Sequence, residues 1–286
     1  YKAIFGYGMA GASRVSMSNL VNSSGVVATD VTGVGSARNQ LAAAKYGLDK
    51  AIFGYGSTGS YTAITNLVSN SGVIATDVSG VGTVRNTLAA AGYGGDKAIF
   101  GYGQAGSDLS MTNLVNSSGV VAADVTGVGT ARNSLAATGY GGDKALFGYG
   151  RQPSLLSITN LVTNVGVVGT DVTGVGTARF SLAATVYGTD KAIFAYGYTT
   201  GYVSMSNLVS NSGVVAADVT GVGSVHDGLA AAGYGGDKAI FGYGGTTPGH
   251  TSITNLVSNS GVIATDVSGV GTARTTLAAA GYSLSA

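Results

Sequence analysis

The sequence predicts an all-β fold made of six copies of one unit, and three observations carry this prediction. A Lys-Ala-Ile/Leu-Phe-Gly/Ala-Tyr-Gly segment recurs in steps of 47 or 48 residues, a period that indicates a repeat architecture. Each unit divides into short runs rich in Val, Ile, Phe, Tyr and Thr. Gly, Ser, Asn or Asp bounds each run, which is typical of strands separated by turns. The recurring segment starts at Lys2, Lys50, Lys97, Lys144, Lys191 and Lys238.

One unit shows the predicted elements in order, with four short strands at 87–91, 97–102, 111–115 and 120–125. The first of these is ambiguous. The segment from Thr83 to Gly92 has a capping Thr, three Ala and a terminal Gly, which together are also a helix signature. Two sister copies disfavour a helix, because they carry Gly228 and the pair Thr275-Thr276 at equivalent places and these residues are poor helix formers. We favour a strand and leave the helix as the alternative.

Four antiparallel strands repeated six times predict one six-bladed β-propeller domain spanning 1–286. The C-terminal strand, 275–282, is expected to complete the N-terminal blade, because pairing the two chain ends would remove both sheet edges. The alternative is a β-rich solenoid with a short helix per turn, which would need distinct capping repeats. The predicted blades are approximately 275–286 with 1–34, then 35–81, 82–128, 129–175, 176–222 and 223–271.

The order of these segments resembles a kelch repeat, in which a first strand follows an arginine and a second strand ends in a glycine pair. Here Thr-Ala-Arg precedes the small apolar strand and Gly-Tyr-Gly stands in for the pair, while the family's usual Trp in the fourth strand is missing. The resemblance covers the whole chain and implies a propeller. The amino-acid sequence of the repeats is also similar to that of repeats in predicted structural proteins of marine bacteriophages. This resemblance implies that the protein is located on a virion or outside the cell.

The composition disfavours several classes of function. The chain has no Cys, no Glu and two His that cannot be matched by spacing with a Ser and an Asp, so we predict no enzyme, no metal site and no cofactor. A net charge of +1 argues against nucleic-acid binding, and no apolar run approaches the ~18 residues of a membrane helix. The chain starts inside a repeat without a signal peptide, as a mature fragment, an excised domain or an engineered chain would.

Differences between the copies point to a candidate binding face. In an up-and-down blade, the loop from the second to the third strand and the connection from the fourth strand to the next first strand share one side. Loops on a rigid scaffold commonly carry binding residues, although neutral drift would also explain the variation. The unusual side chains at these two places are Tyr61, Arg151, Tyr198, Tyr202, His250, Phe180, His226 and Asp227. We expect those of the fourth and fifth units to form one asymmetric ligand pocket, and we predict that Phe180→Ala or His226→Ala weakens binding without unfolding.

A repeated pair of charges allows two interpretations. An Asp precedes, by eight residues, an arginine in five units and His226 in another. Six-fold repetition favours a structural Asp–Arg contact or turn cap. The alternative is an anion-attracting ring at the mouth of a central channel, formed by Arg38, Arg85, Arg132, Arg179 and Arg274.

Three functions follow from the sequence. The first is a non-enzymatic recognition or structural domain of a virion or surface fibre, which presents variable loops to a glycan or a protein. The second is an engineered or reconstructed symmetric scaffold without a natural ligand. The third, which the poor catalytic signals disfavour, is an enzyme built on a propeller.

Overall fold

A computed structural model describes residues 1–283, and in this part of the chain every regular element is a β-strand. Six three-stranded antiparallel sheets repeat along the sequence, so the fold is all-β and β-propeller-like. The alanine-rich segments form strands, which excludes the helix alternative. In five of these six strands the side chains alternate between buried and partly exposed positions, as expected for period-two packing. Among residues 1–283 no helix has the length and apolar character needed to cross a bilayer.

Each sheet has an inner, a middle and an outer strand, numbered in chain order. The inner strands are β5 (Ala42–Tyr46), β8 (Ala89–Tyr93), β13 (Ala136–Tyr140), β18 (Ala183–Tyr187), β21 (Ala230–Tyr234) and β24 (Ala278–Tyr282). The middle strands are β1 (Lys2–Gly6), β6 (Lys50–Gly54), β9 (Lys97–Gly101), β14 (Lys144–Gly148), β19 (Lys191–Ala195) and β22 (Lys238–Thr246). The outer strands are β4 (Ser18–Val21), β7 (Thr65–Val68), β12 (Thr112–Val115), β17 (Thr159–Val162), β20 (Ser206–Val209) and β23 (Gly249–Val257).

The variable loops between middle and outer strands carry small hairpins of their own in three units, and in the sixth unit β22 and β23 continue into the loop as one long hairpin. Isolated bridges join these loops to the connections that precede the inner strands, as between Asn133 and Arg151 or between Phe180 and Tyr198. The two kinds of connection therefore lie together, as the sequence predicted. The small hairpins are β2 (Met9–Ala10) with β3 (Ser13–Arg14), β10 (Gln104–Ala105) with β11 (Ser107–Asp108), and β15 (Arg151–Gln152) with β16 (Ser154–Leu155).

The prediction of four-stranded blades is wrong, because the fourth segment of each unit does not continue as a strand. In the first unit it touches the outer strand at two isolated bridges, Val21 with Val27 and Ser18 with Val31. Between these bridges the Ala28 N–H donates to the Leu20 carbonyl, whereas the Ala28 carbonyl accepts from the buried side chain of Asn19. Its amide Nδ2 donates to the carbonyl oxygen of Ala28 at 3.0 Å and to Asp30 Oδ1 at 2.9 Å, so a side chain engages this segment between the two bridges.

The inner strands contact one another in the order β24, β5, β8, β13, β18, β21 and again β24. At their N-terminal ends, one residue per unit has a positive φ between 51° and 57° and donates its backbone N–H to the carbonyl of the equivalent residue in the preceding unit. The six bonds return to the residue at which they start. They run from Gln40 to Thr276, Gly228, Ser181, Ser134, Thr87 and back to Gln40.

The two chain ends meet in the first sheet. Strand β24 pairs antiparallel with β1, with Lys2 opposite Tyr282 and Gly6 opposite Ala278. The paired strand is shorter than the predicted 275–282, because Thr275 forms only an isolated bridge with Met9 and Thr276 takes the positive φ described above. The predicted boundary beyond Ser283 lies outside the described residues.

The recurring Phe-Gly pair reflects packing between neighbouring units. A Cβ added to Gly54 would lie 2.7 Å from Phe100 Cζ of the next unit, closer than carbon atoms pack. Phe100 is fully buried, and the ring of Tyr55 meets it edge to face with the centroids 5.1 Å apart. Five of the six middle strands supply a flat glycine surface to one neighbour and a phenylalanine to the other, while β19 has Ala195 in place of the glycine. The core therefore lies between the units.

Candidate functional site

The repeated arginines lie between neighbouring units and not in a channel mouth. Arg38 is fully buried, and its guanidinium carbon lies 4.3 Å above the ring centroid of Tyr7. Its Nη2 donates to Asn66 Oδ1 of the next unit at 2.6 Å, and its Nη1 lies 3.9 Å from Asp77 Oδ1 of that unit. Asp77 in turn accepts the backbone N–H and hydroxyl of Ser36. We call this group of five side chains the clasp.

Burial overturns the hypothesis of an anion-attracting ring, because all five arginines are fully buried and stacked on tyrosine rings. The Asp–Arg contact also differs from the sequence expectation. The partner of Arg38 is not Asp30, eight residues before it, but Asp77 of the following unit, and Arg274 reaches Asp30 across the chain ends at 3.8 Å. Equivalent stacking holds for Arg38, Arg85, Arg132, Arg179 and Arg274.

The sixth clasp is incomplete, because His226 replaces arginine. His226 is fully buried, so its predicted role as a ligand-binding residue on the surface is wrong. Neither ring nitrogen has a hydrogen-bond partner within residues 1–283, and the same holds for the Asn255 oxygen that an arginine would engage. Burial lowers the pKa of His226 to about 4, and the nearby Ser224 backbone and the charge of Asp266 oppose that change.

Four of the predicted site residues do form one contiguous group, which we call the aromatic patch: Arg151, Phe180, Tyr198 and Tyr202. The Arg151 guanidinium carbon lies 4.6 Å from the Phe180 ring centroid. The Phe180 ring meets Tyr198 at 5.5 Å, and Tyr198 meets Tyr202 edge to face at 5.3 Å. Arg151 is exposed and the three rings are half-buried. An exposed cation therefore ends a row of three rings that spans two units.

The backbone fixes the aromatic patch from two sides. The Phe180 N–H donates to the Tyr198 carbonyl at 3.1 Å, and the Tyr198 N–H returns a bond of 2.9 Å to the Phe180 carbonyl. The Arg151 Nε donates to Asn133 Oδ1 at 3.2 Å. The rings therefore stand on paired backbone, which lowers the conformational entropy lost when a ligand binds.

The other predicted residues are placed separately. Asp227 bridges Gly245 on the same side of the fold, and burial raises the pKa of its carboxyl to about 6. Tyr61 is exposed in the loop of the second unit, and His250 lies in the long hairpin of the sixth. Across residues 1–283 the ring contacts of the aromatic patch include neither of these two residues.

Sequence reasoning missed two features of possible functional use. Asn133, one of the repeated residues, positions Arg151 through its side chain, which no local pattern indicated. A cavity of about 380 Å³ lies between the inner strands, and Lys45 and Val186 line it. The signal for the cavity was present, since these two residues break a pattern of Gly at one position of the inner strands.

Comparison with known proteins finds no matching protein-family model and no matching curated protein. The resemblance to kelch and phage repeats therefore stays a prediction. Within residues 1–283 no group of three or more His, Cys, Asp or Glu side chains lies close enough together to hold a metal ion.

Proposed function

We propose that the chain is a closed six-bladed β-propeller that serves as a non-enzymatic recognition domain, with the aromatic patch as its ligand-binding site. Three features support the closed propeller: the pairing of β24 with β1, the cyclic order of contacts between inner strands, and the six backbone hydrogen bonds that return to Gln40. A solenoid would place its first and last units far apart.

The observation that carries the binding role is the contiguity of the four side chains of the aromatic patch. They differ from the equivalent residues of most other units, come from separate segments, and lie in contact on the variable side. Tyr and Arg are enriched where binding energy concentrates in interfaces. Aromatic side chains also supply contact area at low entropy cost. The proposed ligand is a glycan or a protein, and the resemblance to phage repeats supports a place on a virion or surface fibre.

A glycan array and a peptide-display library, both read by binding alone, test the proposal. For the best ligand, Phe180→Asn and Tyr198→Ser are expected to weaken binding by about tenfold or more, since ~1.4 kcal/mol of lost contact has this effect. Both changes install residues that other units already carry, Asn133 and Ser57. Tyr61→Ala is the matched control, because Tyr61 is an exposed tyrosine in an equivalent loop outside the patch.

Unchanged affinity in both patch variants would remove the proposal. The alternative is a symmetric scaffold without a natural ligand, and the near-identical repetition of the clasp in five junctions supports it. Absence of any hit on both screens, with a folded wild-type protein, is the result that this alternative predicts.

A further inference from the structure

The inner strands enclose a second candidate site, at the end opposite the aromatic patch. The cavity of about 380 Å³ is lined by the C-terminal halves of the inner strands and by the turns that follow them. This volume lies within the ~300–1,000 Å³ of small-molecule sites. The hydrogen-bonded residues at the N-terminal ends of the inner strands, from Gln40 to Thr276, are not part of its lining. The cavity thus belongs to the turn side of the molecule.

The fourth residue of each inner strand differs between the strands, and this difference makes two opposite walls of the cavity chemically unlike. Four of the six strands carry glycine there: Gly92, Gly139, Gly233 and Gly281. The other two carry Lys45 and Val186, and the contact order of the strands places β5 and β18 three steps apart in either direction. Lys45 and Val186 therefore stand on opposite sides of the cavity.

Val186 makes its wall apolar. A Cβ added to Gly139 would lie 3.4 Å from Val186 Cγ1, and a Cβ added to Gly233 would lie 3.4 Å from Val186 Cγ2. The valine methyl groups therefore lie over both neighbouring strands. Alanines of the inner strands, such as Ala137 and Ala184, also line the cavity.

Lys45 makes the opposite wall cationic. Its Nζ lies 5.0 Å from the ring centroid of Tyr1, and no acid among residues 1–283 forms an ion pair with it. Burial lowers the pKa of its ammonium group, with Asp49 opposing that change. Lys97, Lys144 and Lys238 also line the cavity, with Lys97 paired to Asp96 at 3.0 Å, and Asp237 is the one acidic residue among the described lining residues.

We propose that this cavity binds a small carboxylate with a compact apolar group, the carboxylate on Lys45 Nζ and the apolar group against Val186. A half-buried ammonium without an ion-pair partner gains most from a charged hydrogen-bond acceptor. The facing methyl groups gain from covering apolar surface. The site rests on the closed ring proposed above but not on the aromatic patch, so failure of the binding role of the patch leaves this proposal standing.

Calorimetric titration with benzoate, and with benzamide as its neutral analogue, tests this proposal at constant ionic strength. Benzoate is expected to bind at least about tenfold more tightly than benzamide, a difference of ~1.4 kcal/mol. Lys45→Met is expected to remove this preference, and Val186→Gly to weaken benzoate more than acetate. Lys45→Gly is a second variant that restores the residue of four sister strands and so preserves the fold.

Lys191→Met is the matched control, because the Lys191 amine bonds Asp190 at 3.3 Å and lies outside the cavity lining. It should leave benzoate binding unchanged. The proposal is overturned if wild type does not bind benzoate, if benzamide binds equally well, or if both Lys45 variants bind benzoate like the wild type. Unchanged benzoate binding in both Lys45 variants would show that benzoate binds to other lysines at the surface.

Discussion

The imidazole of His226 lies nearly parallel to the phenol ring of Tyr196, with the ring centroids 4.3 Å apart. In the other five junctions an arginine occupies this place above the equivalent tyrosine. Histidine keeps the stacking but leaves the Asn255 oxygen and both of its own nitrogens without partners among the described residues. The junction between the fifth and sixth units therefore lacks the arginine–asparagine hydrogen bond of the other five junctions.

We expect His226→Arg to stabilise the protein. The new guanidinium can donate to Asn255 as Arg179 does to Asn207 at 2.7 Å, and a buried hydrogen bond to an unpaired acceptor contributes about 1–3 kcal/mol. Thermal unfolding followed by circular dichroism measures the effect. Arg85→His is the reciprocal control and should lower the melting temperature. A melting temperature of His226→Arg at or below that of wild type would contradict this account.

Stability near His226 should depend on pH, with a definite sign. The folded-state pKa of about 4 lies below the ordinary value of 6.5, so the unfolded chain binds more protons in this window. The contribution of neutral His226 to the free energy of unfolding is therefore complete above pH 6.5. It is lost as the pH falls to 4, by on the order of 3 kcal/mol in total.

Asp227 acts in the opposite direction, because its pKa is raised from 3.8 to about 6 and protonation favours the folded state as the pH falls through that range. The measurement therefore uses Asp227→Asn as background. We expect the free energy of unfolding of Asp227→Asn, measured in urea, to fall between pH 6.5 and 4 relative to that of Asp227→Asn/His226→Arg. Parallel pH profiles of the two variants would show that His226 does not titrate as described.

The repeats allowed the strands to be predicted because each short apolar run is bounded by turn residues, and all six copies vary around the same pattern. The fourth strand could not be predicted correctly. Whether a segment continues a ladder depends on what pairs with its backbone groups, and here the side chain of Asn19 takes the Ala28 carbonyl. Hydrophobic patterning does not contain this information.

The candidate site was predicted in part for the same reason. Comparison between copies identified Phe180, Tyr198 and Arg151 as unusual, and the shared side of the two connections brought them together. His226 was equally unusual but is buried, because the arginine that it replaces belongs to the packing between units. A substitution in one copy thus marks either a surface site or a weakened contact, and only burial distinguishes them.

We expect the clasp across the chain ends to matter as much as one within the chain. Asp30 accepts the Thr272 N–H at 3.0 Å and its hydroxyl at 2.6 Å. Asp124 accepts the Thr83 N–H and hydroxyl at 3.0 and 2.7 Å. Asp30→Ala and Asp124→Ala should each lower the free energy of unfolding by about 2 kcal/mol, the typical loss when a charge-assisted hydrogen bond is removed. Urea unfolding measures both, and an Asp30→Ala loss far smaller than that of Asp124→Ala would argue against a closed ring.

Finally, Phe180 and Phe100 should respond in opposite ways to substitution. Phe180 is half-buried on the variable side, where three units carry asparagine. Phe180→Asn should therefore change stability by less than about 1 kcal/mol while it separates Arg151 from the tyrosines. Phe100 is fully buried against Gly54 and Tyr55 of the neighbouring unit, so Phe100→Ala should cost about 3–5 kcal/mol. Melting curves of the two variants test this, and a large loss in Phe180→Asn would reassign the aromatic patch from ligand binding to packing.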